Sequence, residues 1–112
     1  MANTFKLVNN AVMSSVADTT DALYTVPSST TTIILGLTLC NVHTAQVSAT
    51  VEIVDTSASI TSTVIKDAPI PVGGSLEIMS GNKIVVETTD VVKVSSSIAD
   101  KISATMSIME IT

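Results

Sequence analysis

Val47-Ser48-Ala49-Thr50-Val51-Glu52-Ile53-Val54 alternates apolar and polar side chains, with Val47, Ala49, Val51 and Ile53 set against Ser48, Thr50 and Glu52. A repeat of two puts one set on each face of an extended strand, whereas a helix would repeat every three or four residues. This stretch therefore predicts a half-buried strand. The same rhythm returns in Leu35, Leu37 and Leu39. It returns again in Ile102, Ala104, Met106 and Ile108 against Ser103, Thr105 and Ser107.

Turn residues punctuate these runs. Pro27-Ser28-Ser29 ends the segment around Tyr24, and Pro69, Pro71 and Gly73-Gly74 stop the one after Ile65. Proline lacks a ladder donor and glycine permits a sharp bend, so this is an edge or corner. Ser80-Gly81-Asn82, between short strands at 75–79 and 83–87, predicts a tight hairpin. Thr88-Thr89-Asp90 marks a turn before 91–94. The only helix candidates, at 14–18 and 98–101, are too short to stand alone. Seven to eight strands about ten residues apart predict an all-β fold, a single antiparallel β-sandwich or jelly-roll-like domain. Residues 1–20 form an N-terminal arm and first strand, and residues 21–112 the sandwich core.

Composition agrees. Of the 112 residues 46% are hydrophobic, enough for a core, and Val and Ile dominate while Phe5 and Tyr24 are the only aromatics. β-Branched side chains suit pleated surfaces. Only 13% of residues are charged, so Ser and Thr must cover the surface.

The net charge of −5, the lack of Arg and the scattering of five Lys argue against nucleic acid as a partner, because phosphates are bound by clustered cations. No basic amphipathic helix addresses a membrane surface, and the run Ile33–Cys40 is far short of a bilayer span. The N-terminus has no apolar leader run. Cys40 is the only cysteine, so no intrachain disulfide forms; it is expected as a small buried apolar residue.

Chemistry-bearing groups are sparse. His43 is the sole histidine and no Gly-x-Ser-x-Gly elbow accompanies it, so it reads as a turn residue. The aspartates fall mostly at strand ends, where Asp stabilises turns. Asp18 and Asp21, around Thr19-Thr20, offer oxygen ligands to calcium but lack an EF-hand pattern. One Cys and one His cannot fill a structural zinc site. The sequence assigns no catalytic, cofactor-binding or metal residues, and no enzyme activity. Its candidate site is a contact surface. Along the last strand Met106 and Ile108 point one way and Met109 and Ile111 the other, so both faces are apolar. Phe5 and Leu7 on the N-terminal arm complete the proposed oligomer or lattice interface.

The order of these segments resembles small structural proteins of tailed bacteriophages, including those of cyanobacterial phages. The resemblance spans residues 21–112. It runs from a Val26-Pro27 turn through an apolar strand closed by Cys40-Asn41, the alternating strand 47–54 and the Pro71–Gly74 corner. A Gly81-Asn82 turn, the Thr88-Thr89-Asp90 turn and a last alternating strand complete it. It implies a β-sandwich present in many copies on the virion, assembled in the host cytoplasm, and it carries over no functional residues. The role expected is a capsid decoration protein. The expected partners are further copies of itself, as a trimer or other homo-oligomer, and the major capsid protein. A neck, collar or tail protein is the alternative, and a carbohydrate-binding or adhesion module the reading from another class, disfavoured by the scarcity of aromatics.

Overall fold

Each of these alternating segments is extended in the computed structural model, which describes residues 2–79 and 82–112. Nine strands are present among them: β1 (Asn3–Met13), β2 (Asp21–Thr25), β3 (Thr31–Asn41), β4 (Val47–Asp55), β5 (Ile60–Ile70), β6 (Ser75–Glu77), β7 (Ile84–Val86), β8 (Val91–Ser96) and β9 (Ile102–Ile111). They form two antiparallel sheets. The first runs β1-β9-β3-β6, with β7 also on β3, and the second runs β2-β8-β4-β5. Apart from the β4–β5 hairpin and the β6–β7 step, every connection crosses from one sheet to the other. This is the jelly-roll order, an eight-strand double sheet in which β6 and β7 share one place.

The alternation delivers the core. Ile102, Ala104, Met106 and Ile108 of β9, Val47, Ala49 and Val51 of β4, and Val92 and Val94 of β8 are all buried between the sheets. On β3 the phase changes partway. A register shift between Ile34 and Gly36 inserts one extra residue, so Thr32 and Ile34 point inward before it and Leu37 and Leu39 after it. Leu35, expected to share a face with Leu37 and Leu39, is the extra residue and is half-buried. Cys40, expected to be buried, is half-buried too, because the inward places beside it belong to Leu39 and Asn41.

The hairpin expected at Ser80-Gly81-Asn82 lies largely outside the described residues, since Ser80 and Gly81 fall there. The strands flanking it add to β3 rather than to each other, β6 along Thr38–Cys40 and β7 along Thr32–Ile34. Leu76 stands opposite Leu39, and Ile84 opposite Ile34, so lying end to end along β3 lets both short strands turn their apolar side chains to the core. Residues 14–18 and 98–101 are turns, not helices. The Pro71–Gly74 corner is a tight turn, closed by the Gly74 N–H on the Pro71 carbonyl (2.9 Å), with Gly73 at φ 71° where a side chain would be strained.

Candidate assembly surface

The outer face of the β1-β9-β3-β7 sheet is built by default: once the even-numbered residues of β9 fill the core, its odd ones must face out. Met109 therefore stands between Phe5 of β1 and Ile33 of β3, and Ile33 stands beside Val85 of β7. Phe5, Met109, Ile33 and Val85 form one cross-strand apolar row, about 14 Å wide at the usual strand spacing. Its ends are open, with Phe5 73% and Val85 60% exposed, while Met109 and Ile33 are half-buried by their neighbours. Leu7, 63% exposed, and Ile111 flank the row. None of these six side chains carries a charge.

Four of the six residues predicted for the interface thus share this face: Phe5, Leu7, Met109 and Ile111. Met106 and Ile108 do not. Both are 0% exposed and contribute to the chain's own core, so they have no surface to offer a partner. Ile33 and Val85, which complete the row, were hidden in the sequence by lying in apolar runs where one face cannot be told from the other.

The inner side of the same edge holds a polar cluster, also not legible in the sequence, in which Glu110 and Thr32 are buried, Tyr24 is half-buried and Lys6 is half exposed. Lys6 Nζ lies 2.8 Å from Glu110 Oε1, and the Tyr24 hydroxyl donates to Glu110 Oε2 at 2.5 Å. With its proton so used, the Tyr24 oxygen accepts from the Thr32 hydroxyl at 2.8 Å. Hydrogen bonds from Lys6 and Tyr24 hold the Glu110 carboxyl below the usual carboxylate range. Burial, reinforced by the Glu110 carboxylate, pushes Tyr24 up to about 12. The cluster ties β1, β9 and β3 to β2 of the opposite sheet and turns the only charge on the exposed stretch of β1 inward.

Several other polar residues have structural roles. His43 sits at a bend where its backbone N–H donates to Asn41 Oδ1 (2.7 Å). No hydrogen bond among the described residues joins its ring to a Ser or an Asp. Asn41 itself, buried, donates to the Ala45 and Ile70 carbonyls and pins that bend to β5. Asp21 accepts from the Ser15 N–H (2.7 Å) and hydroxyl (2.9 Å), and the first of these lowers its pKa most. Asp18, its expected calcium partner, lines with Thr19, Thr20, Thr50, Glu52 and Lys66 an open depression of about 550 Å³. Asp55, Glu87 and Asp90 bring carboxylate oxygens within 4.8 Å of one another. Asp90 is committed there: it accepts from the backbone N–H of Thr56 (3.1 Å) and of Glu87 (2.9 Å), capping the 88–90 turn.

No protein-family model matches the sequence, and no curated protein matches it. Solved structures do. A chain of the T13 particle of infectious bursal disease virus is 13% identical, with a TM-score of 0.62 over 96% of this chain and 30% of that one. The VP2 subviral particle of the same virus gives 13% identity and a TM-score of 0.52 over 96% of this chain and 32% of that one. A subunit of the disulfide-linked pili that form Bacillus endospore appendages is 14% identical, with a TM-score of 0.57 over 99% of this chain and 87% of that one. This chain spans about a third of the length of the viral chains. At these identities the likeness establishes a shared β-sandwich.

Proposed function

We propose that this chain is a non-enzymatic structural protein of a bacteriophage virion, a decoration protein that cements the capsid shell. The observation that carries the reading is the charge-free apolar row Phe5-Met109-Ile33-Val85 on the outer face of a jelly roll. A face of this kind suits contact with a neighbouring protein surface, because burying it strands no charge. The fold supports the reading without deciding it, since jelly rolls also serve lectins and cupins. A cupin-type metal centre has one histidine to draw on here, and a sugar platform has two aromatics. The Ser- and Thr-rich surface and short turns suit a protein that must stay folded on the outside of a particle.

A second reading, a subunit of a neck or tail structure, draws on the pilus subunit that this fold matches over 87% of its length. Copy number separates the two. Quantitative mass spectrometry of purified virions should find of the order of hundreds of copies for a decoration protein, as lattice symmetry demands. About six to twelve copies would overturn decoration in favour of the neck or tail, and absence from particles would overturn both.

A further inference from the structure

The sandwich has four edges, and three of them are blunted. β2 has five residues and a register shift between Ala22 and Tyr24. The edge opposite β1 is broken into β6 and β7, three residues each. β5 is long but is interrupted by shifts at two points, carries Pro69, and keeps no more than four consecutive register pairs, Ile60 to Thr63. These are the devices by which sheets avoid pairing with other chains. β1 is different: it runs eight consecutive register pairs with β9, from Asn3 to Asn10, without a proline or a bulge.

The direction of its free groups follows from the ladder. Ala2 and Thr112 exchange both backbone hydrogen bonds, at 3.1 and 2.9 Å. In an antiparallel pair such doubly bonded positions alternate with unbonded ones. Thr4, Lys6, Val8 and Asn10 therefore bond to β9, and Asn3, Phe5, Leu7 and Asn9 aim N–H and C=O at the open edge. The one protective device β1 does carry, the half-exposed Lys6, has its charge paired within its own chain by Glu110.

We infer that the free edge of β1 is an association surface for a second copy of the chain, joined antiparallel as β1 to β1 across a two-fold axis. This goes beyond the virion reading but is consistent with it. The occupant follows from the edges themselves. Head-to-tail edge pairing would need a second open edge, and the other three edges are blunted among the described residues, so copies pair edge to edge through the same strand. The stretch is neutral apart from the Lys6–Glu110 pair, so two chains of net charge −5 meet where neither presents an unpaired charge. A two-fold at Lys6 would set two lysines face to face, which is unfavourable; one at Phe5 or Leu7 avoids this and extends the outer apolar row across both copies. The contact builds dimers and even-numbered assemblies from them, not the trimer expected from the sequence.

Light scattering of the purified protein should give twice the 11.6 kDa chain mass. Leu7→Pro removes a donor aimed at the open edge and none from the β9 ladder, so it should leave the sheet intact by circular dichroism. It should also raise the dimer dissociation constant roughly a hundredfold, since each copy loses one hydrogen bond. Amide exchange on the unaltered chain tests the same point without a variant. Phe5, Leu7 and Asn9 should be protected at high concentration and exchange freely on dilution, while Lys6 and Val8 stay protected at both. A monomer at high concentration, or a dimer whose Phe5 and Leu7 amides exchange freely, overturns the inference. Neither result touches the virion copy number, so a monomer present in hundreds of copies would refute the edge pairing alone, and a dimer absent from particles the function alone.

Discussion

β1 and β9 lie side by side in one sheet, are of similar length, and both carry apolar side chains at alternate positions. Yet the inner row of β9 is sealed from water, and of the β1 residues facing it across the ladder only Val8, partly, and Met13, beyond the register shift, reach the core. The difference lies in position, not pattern. β9 is flanked by β1 and β3 and roofed by the second sheet, whereas β1 ends the sheet. The apolar groups of β9 stabilise the chain's own fold, while those of β1 leave Phe5 and Leu7 in solvent, where only a partner can cover them.

The contrast is broken most severely by charging β9. Ile108→Asp would bury an unpaired carboxylate, which costs several kcal/mol against a total stability of about 5–15 kcal/mol. Loss of the cooperative thermal transition is expected; a normal melt would mean Ile108 is not inside. Val51→Asp on β4 should behave alike. Met106→Ala, which opens a cavity without adding charge, should cost about 2–5 kcal/mol by urea denaturation. A cost below about 1 kcal/mol would show a core loose enough to collapse around the gap.

The sequence exposed the fold where alternation is strict and failed where an irregularity intervenes. Ile102 to Ile108 and Val47 to Val51 could be assigned to the core from period alone. The extra residue at Leu35 could not, because a bulge in an apolar run leaves no polar residue out of step to announce it. Likewise β6 and β7 read as a hairpin because a Gly-Asn turn is a local signal, whereas their joint alignment on β3 is a long-range choice made by Leu76, Ile84 and Val86 seeking the core. The candidate surface was legible only in part. Alternation separates Met106 and Ile108 from Met109 and Ile111, but a strand apolar on both faces does not reveal which face meets the other sheet, so all four read as interface and Met106 and Ile108 are in fact core. The Lys6–Glu110–Tyr24 cluster joins residues up to 104 positions apart in the chain (110 − 6) and had no local signature.

That cluster is where β1 and β9 share one environment, and it gives an intermediate effect. Glu110→Gln should cost about 1–3 kcal/mol, because it leaves Lys6 without its counter-charge and Tyr24 with a weaker acceptor. Its pH dependence has a definite sign. The folded Glu110 pKa is lowered, so its contribution is fully present above the unfolded carboxylate value of about 4.3 and is lost as pH falls through the folded value. Tyr24 is raised, so its contribution is present below about 10 and lost as pH rises toward about 12. Melting curves of the unaltered and Glu110→Gln chains should therefore converge in acid. Curves that stay parallel from neutral pH down to about 3 would show that Glu110 is not the group responsible.

The smallest effect should fall on β1 itself. Leu7→Thr keeps the backbone donor and a good strand former while removing an exposed apolar group. In dilute protein it should change stability by less than about 0.5 kcal/mol, as surface substitutions usually do, in contrast with Met106→Ala one strand away. Repeating the melt at rising protein concentration sharpens the comparison. An isolated surface residue costs the same at every concentration, but one covered by a second copy costs more as association proceeds, because binding to the folded state stabilises it by mass action. A cost that grows with concentration would place Leu7 in an interface and make β1 as much an interior strand as β9, with its interior completed by another molecule. A flat dependence would leave it an ordinary solvent-facing residue.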